Sequence, residues 1–173
     1  MLTLRQTALL ALVITGIAPI TIATGFSAGS QADTSPAEPD RVEETAMAEA
    51  RAIVLKQLKA LQNNDEPSTD AGIRTAWKYA HPNNQKATGP LPRFVRMLKS
   101  PSYRDLIDHQ SHGVTLIRST PSAATFEVVI YPGTMNAPLL FYWSVAKVET
   151  GDRIDKWATT AVSAPVEIGS PPA

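Results

Sequence analysis

Hydrophobic residues recur at helical spacing in the first part of the chain. Between residues 42 and 61 they fall three or four apart, which predicts one long amphipathic helix. Its apolar stripe consists of Val42, Ala46, Ala50, Ile53, Val54, Leu58 and Leu61. A second helix is predicted over residues 70–80 and a short third helix over 93–98. Proline-containing turns at residues 81–84 and 88–92 are expected to separate these helices.

After residue 113 the hydrophobic period changes to two. Side chains fall into two alternating sets over 114–117, 124–131, 139–146 and 156–163, with turn residues between these segments. This pattern predicts four antiparallel strands joined by short loops. Helices that precede such a meander pack across one of its faces. The predicted fold class is therefore α+β, with N-terminal helices packed on a curved antiparallel four-stranded sheet.

The third predicted strand is apolar on both faces, since Leu139, Phe141 and Trp143 alternate with Leu140 and Tyr142. A strand with two apolar faces is usually covered on both sides. We expect the helices to cover one face. The other face is then a surface for a protein partner or a second copy of the chain, as in a homodimer.

The N-terminal segment is built differently from the rest. Arg5 is the only charged side chain among residues 1–32, and residues 8–28 are long enough to cross a bilayer. A basic start, an apolar middle and a small-residue end at Ala32 are typical of a secretory signal peptide. Both interpretations, cleaved signal and uncleaved membrane anchor, place the domain across a membrane in a periplasm, a lumen or the exterior. Residues 33–40 are predicted to be a linker.

The rest of the chain is divided into one domain and a C-terminal tail. The α+β domain is predicted to span residues 41–162. Residues 163–173 contain three prolines and a glycine and are expected to form a flexible tail.

Composition excludes several classes of function. The chain has 173 residues, no Cys, and 16 basic against 16 acidic residues. Without Cys it has no disulfide, no thiolate nucleophile and no cysteine zinc site. A balanced charge gives no electrostatic reason to expect a nucleic-acid partner. No cofactor motif is found, because Gly89-Pro90 lacks the Lys and Ser/Thr of a phosphate loop.

The best candidates for chemistry lie in the segment YRDLIDHQSH, residues 103–112. On a helix Asp105 and His109 would share a face, and with Tyr103 they would supply a general base. The alternative is a helix end whose histidines interact with the C-terminal dipole. His109 and His112 are three apart, but the glycine that follows indicates that the helix has ended, so no metal site is predicted.

Large apolar side chains suggest a second kind of site. The candidates for lining a small pocket between helices and sheet are Trp77, Phe94, Met97, Tyr103 and Tyr142. The alternative is that these side chains simply form the core. A pocket of this kind would hold a modest apolar ligand.

Several strings resemble domain-of-unknown-function family 4864. They are VLKQLKALQNND at 54–65, Gly72-Ile73 with Trp77 and Ala80, TGPLPRFVRML at 88–98, and Ser102-Tyr103 with His109. The resemblance covers roughly residues 45–160 and implies the nuclear-transport-factor-2-like or cystatin-like cone fold. It implies no activity and no catalytic residues.

Two functions remain after this reasoning. The first is an exported or membrane-anchored, non-catalytic module that binds a small ligand or a protein. The alternative is a pocket enzyme of isomerase, dehydratase or hydrolase type that uses Asp105, His109 and Tyr103. The orientation of Asp105 and His109 relative to any cavity discriminates between them.

Overall fold

The computed structural model describes residues 38–133 and 137–168 of the chain. Its helices are α1 (Glu38–Gln62), α2 (Ala71–Lys78), α3 (Pro82–Thr88) and α4 (Leu91–Leu98), followed by a short 3-10 helix (Arg104–Leu106). Its strands are β1 (Ser111–Thr120), β2 (Ala123–Tyr131), β3 (Leu139–Lys147), β4 (Trp157–Val162) and β5 (Val166–Glu167). Within these ranges, no helix has the length and apolar character needed to span a bilayer. The predicted signal or anchor at 1–32 lies outside the described residues.

The sheet is an antiparallel meander in the order β1-β2-β3-β4, and the two-residue β5 pairs with β3. It is curved, and the helices precede the strands in the chain, which confirms the predicted α+β fold. Both ends of the domain extend beyond the predicted boundaries. α1 begins at Glu38, inside the predicted linker, and β5 lies in the predicted tail, where Val166 pairs with Leu140.

The core forms where α1 packs on one face of the sheet. The apolar stripe of α1 is fully buried at Ala50, Val54 and Leu58, whereas Val42 is 64% exposed and lies outside the core. On β2 the buried positions alternate with half-buried ones, as a strand covered mainly on one face requires. Phe126 is one of these buried side chains.

The crossing of α1 and α2 is unusually close because Gly72 has no side chain. A Cβ on Gly72 would lie 2.8 Å from the carbonyl carbon of Ala60 and from Cα of Asn64, and would overlap the Ala60 carbonyl oxygen. The backbone N–H of Gly72 donates to the carbonyl of Asn64 at 2.8 Å. The Asn64 side chain then accepts from the N–H of Ile73 at 3.1 Å. Asn64 therefore fixes the start of α2 against the end of α1.

The turn expected at residues 81–84 is instead the start of α3. Pro82 occupies the first helical turn, where its missing N–H has no helical partner to lose. His81 precedes it as the N-cap, and its Nδ1 accepts from the N–H of Asn83 at 3.2 Å. The proline marks the beginning of a helix, and α3 then forms one side of a cavity.

Candidate functional site

A cavity of about 280 Å³ lies between the helices and the strands β3 and β4. Its walls come from α1, α2, α3, α4 and the 3-10 helix. Leu61, Phe94 and Leu98 are buried apolar residues of the lining. Ala87 and Ala161 are lining residues that are exposed, so they mark the mouth of the cavity.

The structure brings three of the five predicted pocket residues together. Phe94, Met97 and Tyr103 all line the cavity. Trp77 lies outside the lining and packs against Phe94, with ring centroids 5.0 Å apart. Tyr142 is 43% exposed and does not line the cavity.

Its neighbour Trp143 takes the place predicted for Tyr142. Successive residues of a strand point to opposite faces of a sheet, so only one of this pair can face the helices. Trp143 is 2% exposed and lines the cavity. Both residues are aromatic, so the pattern of β3 alone could not decide between the two faces.

The buried end of the cavity carries a polar cluster formed by Gln57, Trp143 and Thr159. The Trp143 Nε1–H donates to Oε1 of Gln57 at 3.2 Å and to Oγ1 of Thr159 at 3.0 Å. The Thr159 hydroxyl also donates to Oε1 of Gln57. The Gln57 Nε2 donates to the carbonyl of Ala76 at 2.8 Å. Each of the three side chains is about 98% buried. A buried polar group without a hydrogen-bond partner would destabilise the fold, and these bonds supply the partners.

Backbone contacts from the helices hold Thr159 in place. Its N–H donates to the carbonyl of Tyr79 at 3.0 Å, and its carbonyl accepts from the N–H of His81 at 2.8 Å. The Asn84 side chain on α3 donates to the same carbonyl at 3.1 Å. The end of α2 and the start of α3 are therefore joined to β4 at the polar cluster.

The cavity carries no formal charge. Among the described residues that line it there is no Asp, Glu, His, Lys or Arg, and Tyr103 is the one titratable side chain. A charged ligand would enter without an opposite charge to balance its loss of hydration, which is costly. The lining suits neutral, mainly apolar molecules and offers no carboxylate or imidazole for proton transfer.

The predicted Asp105–His109 pair is not formed. The helical arrangement on which this pair depends is limited to the 3-10 turn Arg104–Leu106, because Ile107 is already extended and Asp108 has a positive φ of 53°. No hydrogen bond joins Asp105 to His109 in the described chain. Asp105 lines a separate surface depression, whereas His109 is buried and absent from the lining of either site.

His109 instead pairs with His112, which lies on β1. His109 Nδ1 is 2.8 Å from the carbonyl of Leu106, and its Nε2 is 2.7 Å from Nδ1 of His112. A carbonyl only accepts, so Nδ1 of His109 carries the proton and its Nε2 accepts from His112. Burial lowers the pKa of His109, against the effect of the Leu106 hydrogen bond. Burial, with a smaller effect of Lys59, lowers the pKa of His112.

We expect the urea midpoint of unfolding to fall as the pH is lowered from about 7.5 to about 5.5. An unfolded histidine titrates near pH 6.5, and both folded pKa values lie lower. Below about pH 6.5 the unfolded chain therefore binds more protons than the folded chain. The two histidines therefore contribute to the free energy of unfolding in full above about pH 6.5, and this contribution is lost as the pH falls toward their folded pKa values.

Besides His112, the charged groups near His109 are Lys59 and Asp108, and their effects on its pKa are opposite and smaller than that of burial. The matched variant is His112→Gln, which removes one titrating ring and keeps a side chain able to hydrogen-bond to His109. Its midpoint should change less with pH. A native midpoint that is constant between about pH 7.5 and 5.5 would contradict the linkage.

Sequence reasoning missed the polar cluster, although it left one signal. Gln57 lies within the apolar stripe of α1, three residues after Val54 and four before Leu61. A polar residue at such a position is buried and needs partners. Nothing in the spacing of Thr159 distinguished it from the other inward positions of β4.

The chain matches no family model, no curated protein and no solved structure. The resemblance to family 4864 and the cone fold family that it implies therefore stay predictions.

Proposed function

We propose that this protein is a non-catalytic module that binds a small, neutral, mainly apolar molecule in the cavity between the helices and β3 and β4. The observation that carries the proposal is the lining itself. It combines apolar walls with a buried, hydrogen-bonded cluster of Gln57, Trp143 and Thr159. Ligand sites commonly have mostly apolar walls with a few placed polar groups.

The volume limits the size of the ligand. A dry apolar cavity of about 150 Å³ in another protein accommodates benzene, which corresponds to about 25 Å³ per non-hydrogen atom. At that ratio a cavity of about 280 Å³ holds about eleven non-hydrogen atoms. The proposed ligand is thus a single ring with substituents or a medium-length chain, and larger cofactors are too big for it.

The alternative function, an enzyme using Asp105, His109 and Tyr103, has less support. Of these three residues, only Tyr103 lines the cavity. His109 is engaged by Leu106 and His112, and the lining offers no second acid or base. Binding without proton transfer is therefore the better-supported function.

The proposal also includes the location of the module and a partner for the outer face of its sheet. The basic, apolar and small-residue pattern of residues 1–32 supports an exported or membrane-anchored protein. The outer face of the sheet, where Tyr142 is exposed, would serve a second copy of the chain or another protein partner. The residues that resemble family 4864 support a cone-type module.

Replacing Ala87 by tryptophan is expected to weaken the binding of neutral probes by at least about ten-fold. Ala87 lies at the mouth of the cavity on α3, and its exposure allows a large side chain there without disturbing the core. The indole would occupy volume that a ligand needs. Titration of 1-octanol, followed by isothermal calorimetry, measures the effect.

The matched control is Lys86→Trp, which places the same ring on the neighbouring exposed residue of α3, outside the lining. This variant should bind 1-octanol like the native chain. Equal binding by the native chain, Ala87→Trp and Lys86→Trp would mean that the cavity is not the site. No binding by the native chain would refute the proposed function.

A further inference from the structure

We infer that the cavity selects neutral molecules that carry one hydroxyl group, and that this hydroxyl binds between Gln57 and Thr159. The inference rests on the proposed function and specifies the chemical class of the ligand. It follows from counting which hydrogen-bonding positions of the polar cluster are already used.

Gln57 has one amide hydrogen to spare. Its Nε2 has two hydrogens, and one is donated to the carbonyl of Ala76 at 2.8 Å. A carbonyl cannot donate, so this contact also fixes which end of the amide is Nε2. Oε1 is fully used, since it accepts from both Thr159 and Trp143. The second Nε2 hydrogen has no partner among the residues that the structure describes.

Thr159 has one acceptor position to spare. Its hydroxyl hydrogen is donated to Gln57, and one lone pair of Oγ1 accepts from Trp143 at 3.0 Å. A hydroxyl oxygen has two lone pairs, so one remains. Trp143 itself contributes nothing further, because its one N–H is shared between Gln57 and Thr159.

Gln57 and Thr159 both line the cavity, so the cluster leaves one donor and one acceptor for a ligand that binds there. A hydroxyl group is the smallest neutral oxygen group that both accepts a hydrogen bond and donates one from the same atom. A ketone would use only the donor of Gln57, and an alkyl halide would use neither position well. Each net hydrogen bond is worth about 1 kcal/mol, so two of them give a preference of about ten-fold or more.

Charged head groups are disfavoured for a separate reason. Neither a carboxylate nor an ammonium ion finds an opposite charge in the described lining. The free energy needed to bury either ion without a partner exceeds the free energy gained from one or two neutral hydrogen bonds. The predicted order of affinity is therefore alcohol, then ketone, then alkyl halide, with the fatty carboxylate weakest.

The test compares four probes on the native chain by isothermal calorimetry. 1-Octanol, 2-octanone and 1-chlorooctane have the same number of non-hydrogen atoms, and octanoate adds the charge. We expect 1-octanol to bind about ten-fold tighter than 1-chlorooctane, 2-octanone to lie between them, and octanoate to bind weakest. Because the comparison needs no substitution, it does not depend on whether a variant folds.

Two threonine variants test whether Thr159 is responsible for the preference for a hydroxyl group. Thr159→Val removes the free acceptor and should reduce the ratio between 1-octanol and 2-octanone affinities to near one. Thr160→Val is the control, because Thr160 also lines the cavity but its hydroxyl donates to the carbonyl of Ser144 at 3.1 Å. A merely structural role of Thr159 would weaken all probes equally and leave their ratio unchanged, which would count against the inference.

The outcomes separate the inference from the proposed function. If the three neutral probes bind equally and Ala87→Trp weakens all of them, the cavity is the site and the inferred hydroxyl preference is wrong. If octanoate binds tightest, the preference is likewise wrong. If no probe binds, both the inference and the proposed function fail.

Discussion

Replacing Gly72 by alanine is expected to lower the free energy of unfolding by about 3 kcal/mol or more. The added Cβ would overlap the carbonyl oxygen of Ala60 and would lie 2.8 Å from Cα of Asn64. These are backbone atoms of α1 and of the turn after it, so no side-chain rotation can relieve the contact. α2 would have to move away from α1. Urea unfolding followed by circular dichroism measures the loss.

The matched control for Gly72→Ala is Gly113→Ala on β1. A Cβ on Gly113 would meet no heavy atom within 4 Å. Alanine costs less conformational entropy than glycine in a strand, so this variant should be as stable as the native chain or slightly more stable. Equal destabilisation by the two substitutions would show that the close approach of α2 to α1 does not limit stability.

Gly72→Ala is also expected to weaken ligand binding in the cavity by the protein that stays folded. α2 carries Ala76, whose carbonyl accepts from Gln57 and whose side chain lines the cavity. A displaced α2 would break that hydrogen bond and leave the orientation of the Gln57 amide undefined. The tight helix crossing and the polar cluster are thus parts of one arrangement.

Periodic patterns of hydrophobic residues predicted the long helix α1 and the strands of the sheet. The long stripe of α1 and the alternation of the meander each depend on many residues, so a single exception such as Val42 does not change the result. Phe94, Met97 and Tyr103 line the cavity because large apolar side chains near helices and sheet converge on the same interior. These features follow from hydrophobic burial alone.

The predictions that failed depended on a short segment or on a single residue. Residues 103–112 have helical spacing, but Asp108 adopts a left-handed conformation and Ser111 begins β1, so Asp105 and His109 never share a helix face. His112 becomes part of a strand, where it pairs with Ile130. Ten residues contain too few periods to distinguish a helix from a turn followed by a strand.

The residues that carry the resemblance to family 4864 have specific structural roles. Gln57 joins α1 to β3 and β4, Asn64 caps α2, and Gly72 permits the helix crossing. Gly89 has a φ of −77°, which any residue can adopt. A Cβ there would lie 2.7 Å from the ring of Trp77, so space is the reason for glycine. These residues therefore serve the packing of the helices.

Replacing Asn64 by alanine is expected to lower the free energy of unfolding by about 2–3 kcal/mol. Asn64 is 3% exposed, and its Oδ1 accepts from the N–H of Ile73. Its Nδ2 donates to the carboxylates of Asp65 at 2.7 Å and Asp70 at 3.3 Å. Asp70 is the N-cap residue of α2 but makes no side-chain capping bond. Asn64 supplies the cap, and alanine would lose both that bond and the charged ones.

Two further variants test this explanation by urea unfolding. Asn63→Ala removes a neighbouring asparagine whose side chain, within the described part of the chain, bonds only to the Lys59 carbonyl at 2.9 Å, and should cost about 1 kcal/mol or less. Asn64→Asp keeps the acceptor for Ile73 but places a new carboxylate beside those of Asp65 and Asp70. Like charges repel, so its deficit should exceed that of Asn63→Ala and shrink as acid neutralises the carboxylates. Equal stability of Asn64→Asp and the native chain at neutral pH would mean that the donated bonds contribute nothing, and that the cap alone holds α2 against α1.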